Sequence, residues 1–185
     1  MKNILYINSC VRKDSRTNRL ARAAMDKLEG NVKEIRLWET DLKPLDENRL
    51  SERDRHLQEE NFDHEMFEYA REFKEADVIV VAAPYWDLQF PAYLKIFIEN
   101  ITVSGITFEY TPQGYPHGLC RAEKLIYVTT SGGAIGPYNF GFEDIKTMAE
   151  GMFGIKEVTE LKAENLDVFG NDPESILQDA IKFLG

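Results

Sequence analysis

The chain has 185 residues, 43% hydrophobic and 29% charged, which suits a single domain over residues 1–185 with a sizeable core. Its formal net charge of -10 disfavours nucleic acid or an anionic membrane as a partner for the whole surface. No run approaches the roughly 18 apolar residues of a membrane span, and Cys10 and Cys120, far apart and outside any CxxC spacing, point to a reducing cytoplasm.

The opening "MKNILYINSC" lacks a signal-peptide layout, because its short apolar run becomes a strand at 3–8. Residues 18–29, "NRLARAAMDKLE", follow with helical apolar spacing and stop at Gly30 and Asn31. "VKEIRLW" (32–38) reads as a second strand. The stretch 39–61 is polar and poorly periodic, so it is expected to be irregular, with at most one short helix. Residues 62–76 place Phe62, Met66, Tyr69 or Ala70, and Phe73 on one helical face.

"DVIVVAAP" (77–84) is the most hydrophobic strand and therefore central in its sheet. A helix over 91–101 opens at Pro91, where proline is favoured. A strand at 124–130, a helix at 141–154, a strand at 156–166 and a helix at 172–185 complete the chain. Five strands alternating with helices imply an α/β fold with a five-stranded parallel sheet covered on both faces. A strand order of 2-1-3-4-5 puts a switch point between the first and third strands, where ligands bind beyond the carboxyl ends.

Three loops meet that description. The first, "NSCVRKDSRTN", has no glycine and matches neither the dinucleotide nor the P-loop fingerprint. It offers Ser9, Ser15 and Thr17 at a helix start, with Arg16 among five bases in residues 10–22 set against Asp14 alone. These hydroxyls serve either as ordinary N-caps or, with the free N–H groups of the helix, as a phosphate site; the basic cluster favours phosphate. The second loop sets Tyr85 and Trp86 between Pro84 and Pro91, a flat apolar wall for a planar ring or else a core-packing loop. The third, "TTSGGAIGPYNFG", carries Gly132 and Gly133, which permit close backbone approach. A ligand with one phosphate, a flexible linker and a planar polar ring fits all three, and FMN has that form.

On "INSCVRKDSRTNRL", "AAPYWDLQFPAYLKIFIE", "GITFEYT" (105–111) and "VTTSGGAIG" (128–136), the chain resembles the flavodoxin-like NAD(P)H:quinone oxidoreductases, including the FMN-dependent NADH-azoreductases, along almost its whole length. The resemblance implies that Ser9, Ser15, Arg16 and Thr17 hold the FMN phosphate. It implies that Pro84, Tyr85, Trp86, Asp87 and Leu88 line the ring system, and that Thr130, Gly132 and Gly133 meet its pyrimidine edge. Tyr110 is then expected to cover the substrate pocket of a homodimer, with Tyr110, Tyr138 or water as proton donor. NADH or NADPH would be the electron donor, and quinones, azo dyes or nitroaromatics the acceptors. Asp87 departs from the asparagine common in that family; a carboxylate near reduced flavin would lower its potential.

Two other readings use the same fold: a flavodoxin-type carrier of single electrons, and a flavin-free regulatory protein. Acidity favours the carrier somewhat, through steering toward basic partners. His56, His64 and His117 form no HExxH, and no metal site is expected. Cys10 reads as a small buried side chain rather than a redox-sensitive thiol.

Overall fold

The computed structural model describes residues 1–182. Strands β1 (Lys2–Asn8), β2 (Gly30–Arg36), β3 (Val78–Ala82), β6 (Lys124–Thr130) and β7 (Glu157–Ala163) form the main sheet. All its pairings are parallel, in the order β2-β1-β3-β6-β7. That is the expected 2-1-3-4-5 arrangement; the labels differ because a short hairpin intervenes.

Alternation along the strands divides the core into two layers, as a period of two residues requires. Leu5, Ile7, Ile79, Val81, Leu125 and Tyr127 face one way, toward α3 (Glu68–Glu75), α4 (Ala92–Ile101) and α5 (Phe140–Met148). Ile4, Tyr6, Val78, Val80, Ile126 and Val128 face the other, toward α1 (Arg16–Met25) and α6 (Pro173–Lys182). The helix expected over 172–185 is described only to Lys182; residues 183–185 lie outside the described residues.

The stretch 39–61 departs from expectation. It contains α2 (Glu47–Gln58), a full helix of 12 residues. Its N-terminus is capped by Asp46, whose side chain accepts the Arg49 N–H at 2.9 Å. Glu47 opens the first turn and Arg55 and His56 close the last, which suits the helix dipole. Only a narrow face is covered, so the apolar rhythm that reveals helices is nearly missing.

Two further elements were not expected. Strands β4 (Phe108–Tyr110) and β5 (Pro116–Gly118) form an antiparallel hairpin. After α5 the chain widens into one π-helical turn over Ala149–Phe153, ended by Gly154 at φ 78°. The hairpin lies on that turn: a Cβ at Gly118 would collide with the Phe153 carbonyl carbon and the Gly154 nitrogen. Only glycine permits this backbone-to-backbone approach.

Candidate active site

The carboxyl ends of β1, β3, β6 and β7 open onto a cleft of about 590 Å³, within the usual range for small-molecule sites. Its floor and walls come from residues Cys10 to Thr17, Pro84 to Trp86, Thr130 to Gly132, and Leu166 with Asp167.

The first wall is the start of α1. Ser15 is the N-cap, and its hydroxyl accepts the Asn18 N–H at 3.2 Å. The Arg19 N–H bonds the Ser15 carbonyl at 3.1 Å. The N–H groups of Arg16 and Thr17 are the remaining donors of that first turn, and no protein acceptor meets them among the described residues. Thr17 is buried, its hydroxyl 2.7 Å from that of Thr130. A hydroxyl both accepts and donates, so Thr17 can take the Thr130 proton and turn its own toward a ligand oxygen. Ser9 is fully buried and donates to the Ala82 carbonyl at 2.9 Å. It braces the loop from beneath instead of lining the cleft.

The second wall is the aromatic loop between Pro84 and Pro91. Trp86 and Gln89 exchange both backbone hydrogen bonds, at 2.9 and 2.8 Å. Asp87 and Leu88 between them have φ of 51° and 67°. This is a two-residue type I′ turn, which right-twisted strands favour. Asp tolerates the left-handed conformation, whereas leucine there is strained by about 1–2 kcal/mol. Behind the turn, Tyr85 continues the sheet through its N–H to the Thr130 carbonyl, 3.1 Å, and its hydroxyl donates to the Tyr138 carbonyl at 3.0 Å. Pro84, Tyr85 and Trp86 thus reach the cleft, while Asp87 and Leu88 project beyond its lining.

The third wall joins two loops. Leu166 and Asp167 donate their N–H groups to the carbonyls of Ser131 and Gly132, at 3.2 and 2.9 Å. A Cβ on Gly132 would lie 2.5 Å from the Asp167 carboxylate, so glycine leaves room for that acid. Asp167 in turn pairs with Arg16 at 2.8 Å, tying the end of β7 to the start of α1. Leu166, Asp167 and Ser131 escaped the sequence reading; the acid's partner is 151 residues away, and no local pattern announces such a pair. Gly133, Tyr110 and Tyr138 stand outside the lining. Tyr110 packs its ring on Phe108 and is 60% exposed.

The basic segment divides by role. Arg16 is held by Asp167, Arg19 by both oxygens of Glu174 at 2.8 and 2.6 Å, and Arg22 by Glu34 at 3.2 Å. Arg12 and Lys13 have no acidic partner among the described residues, and both line the cleft.

Cys10 also lines it, but burial pushes its thiol up to about 11. The thiol therefore stays protonated through neutral pH, and the thiolate is the reactive form. Alkylation by iodoacetamide at pH 8 should be at least tenfold slower than for a free cysteine, and should accelerate as pH approaches 11. Rapid labelling at pH 7 would contradict this environment.

Away from the cleft, Glu52, His56 and His64 bring ligand atoms within 4.8 Å of one another. The imidazoles are stacked, ring centres 3.7 Å apart. His56 Nε2 faces the donor-only Arg55 guanidinium at 3.1 Å, and His64 Nδ1 accepts the Met66 N–H at 3.3 Å. His56 Nδ1 lies 3.2 Å from the Asn61 side-chain amide, so both of its ring nitrogens have protein neighbours. The cluster secures the turn between α2 and α3.

Fold and cleft together define a doubly wound α/β protein whose main cleft lies at the topological switch point, where ligands bind in such folds. The chain belongs to the flavodoxin-like fold family, whose model matches residues 2–184. It is 44% identical over 130 residues to an FMN-dependent NADH:quinone oxidoreductase 2 of Clostridium acetobutylicum, a match covering 68% of this chain and 64% of that protein. It is 32% identical over 191 residues to an FMN-dependent NADH:quinone oxidoreductase of Clostridium perfringens, covering 98% of this chain and 96% of that one. A solved FMN-dependent NADH-azoreductase of Bacillus anthracis, in complex with FMN, has the same fold. It superposes with a TM-score of 0.83 at 22% identity, over 100% of this chain and 96% of the other.

Proposed function

We propose that the chain is an FMN-dependent oxidoreductase that passes a hydride from NADH or NADPH to quinones, or to related acceptors such as azo and nitroaromatic compounds. The observation that carries this reading is the pair of open N–H groups on Arg16 and Thr17, across one cleft from Tyr85 and Trp86. The donors suit a terminal phosphate; the rings suit a planar heterocycle. The curated relatives are named for that cofactor and that donor.

Bound FMN supplies the hydride chemistry. The chain's residues bind and orient. Ser15, Arg16 and Thr17 hold the phosphate, with Ser9 bracing their loop. Pro84, Tyr85 and Trp86 face the ring system, and Asp87 and Leu88 form the turn beside it. Thr130 and Gly132 serve its polar edge, with Gly133 on the same loop just outside the lining; backbone N–H groups there would stabilise developing negative charge. Tyr110 and Tyr138 are the proton-donor candidates.

The same reading makes the chain a single-domain, cytoplasmic homodimer. Trp86, Tyr110, Tyr138 and Phe140 are all exposed on one chain, more aromatic surface than a monomer usually shows. A twofold partner would cover it, and each subunit would lend Tyr110 to the other's pocket.

The purified protein should be yellow and release FMN on denaturation; FAD, or no uptake of added FMN, would sink the reading. Donor and acceptor must use the same flavin face, so double-reciprocal plots should be parallel. Intersecting lines would argue for a ternary complex instead.

A further inference from the structure

Charge in the cleft raises a problem that two unpaired side chains resolve. Among its lining residues Arg16 is neutralised by Asp167, and Asp14 offsets one of Arg12 and Lys13, leaving one net positive charge. A phosphate dianion reverses that sign. A reduced nicotinamide dinucleotide, itself an anion through its pyrophosphate, must then enter a negative cleft on a protein of net charge -10. Arg12 and Lys13 are exposed at the mouth and committed to no acid, unlike Arg16, Arg19 and Arg22.

Resting on the proposed oxidoreductase reading, we infer that Arg12 and Lys13 form the subsite for the donor's pyrophosphate, apart from the flavin phosphate held by Ser15, Arg16 and Thr17. The division follows from the local geometry. The helix start offers its free N–H groups at Arg16 and Thr17, a fixed cradle of the kind a permanently bound phosphate needs. Arg12 and Lys13 are long, solvated side chains on the preceding loop. They attract and release an anion, as a donor that must leave after each turnover requires. Guanidinium and ammonium on adjacent residues suit the two neighbouring phosphates of a dinucleotide.

The test compares donors that differ in that anion. With menadione as acceptor, an Arg12→Gln/Lys13→Gln variant saturated with FMN should show about a tenfold higher KM for NADH, with kcat within twofold of wild type. Its KM should depend less on ionic strength, because fewer charges remain to be screened. With 1-benzyl-1,4-dihydronicotinamide, which carries no phosphate, wild type and variant should be indistinguishable. The FMN dissociation constant, measured by flavin fluorescence, should change by less than threefold.

An equal loss with the benzyl compound, an unchanged KM for NADH, or a large loss of FMN affinity would each overturn the assignment. A wild-type protein that oxidises the benzyl compound while its NADH KM matches the variant's overturns this inference alone. Failure of FMN-loaded wild type to oxidise either donor overturns the functional reading and this inference with it.

Discussion

Alanine at both Ser15 and Thr17 is expected to weaken FMN binding about a hundredfold while changing riboflavin binding less than threefold. Hydrogen bonds to a charged group contribute about 1.5–3 kcal/mol each. The Thr17 hydroxyl has a proton to offer because Thr130, at 2.7 Å, can supply the one it accepts. Ser15 acts partly through the helix: as N-cap it holds the first turn in register and keeps the Arg16 and Thr17 N–H groups aimed at the cleft. Losing the cap costs about 1 kcal/mol of stability. That cost is common to both ligands and cancels in their ratio, which titration of flavin fluorescence measures. Equal losses for FMN and riboflavin would mean that the phosphate lies elsewhere.

Alanine at Gly118 should destabilise the protein by about 3 kcal/mol, the upper part of the range for overpacking. The added methyl would meet the backbone of Phe153 and Gly154, so no side chain can swing aside. The π-helical turn is tied down as well, since the Ile155 N–H bonds the Ala149 carbonyl at 2.9 Å. Alanine at Gly114 is the control. That residue has φ of 82° with open space around it, so only the backbone penalty of about 1–2 kcal/mol applies. Urea midpoints report the difference. Similar losses for the two variants would show that the hairpin lifts from the turn at little cost.

The central strands were legible because β1 and β3 are buried on both sides, and burial writes an unbroken apolar run. The parallel sheet followed from the alternation of strands and helices, and the position of the cleft from the 2-1-3-4-5 order taken with it. What stayed hidden shares a physical character. Helix α2 covers little core, so Asp46 and the charges at its ends were its only signals. The β4–β5 hairpin has three-residue strands, too short for alternation to show. The basic cluster was visible as composition, but its division was not. Glu34, Asp167 and Glu174 claim Arg22, Arg16 and Arg19 only after folding brings distant segments together. The turn at Asp87–Leu88 was obscured for another reason: leucine is a poor advertisement for a left-handed backbone.

The strand order also bears on how the chain reaches its shape. β1 pairs with β3 through contacts such as Ile4 with Val78, so the middle of the sheet closes a long loop before anything can lie across it. The cleft draws on the ends of four strands, the last being β7, and its lining runs from Cys10 to Asp167, so it is complete only once all four strands are paired. A ligand of this cleft therefore recognises a finished sheet and cannot template an early one. Binding energy that accrues only after the folding barrier is expected to slow unfolding and leave the folding rate unchanged. A newly made chain must cross that barrier unaided, and the cofactor then acts as a latch on the way back.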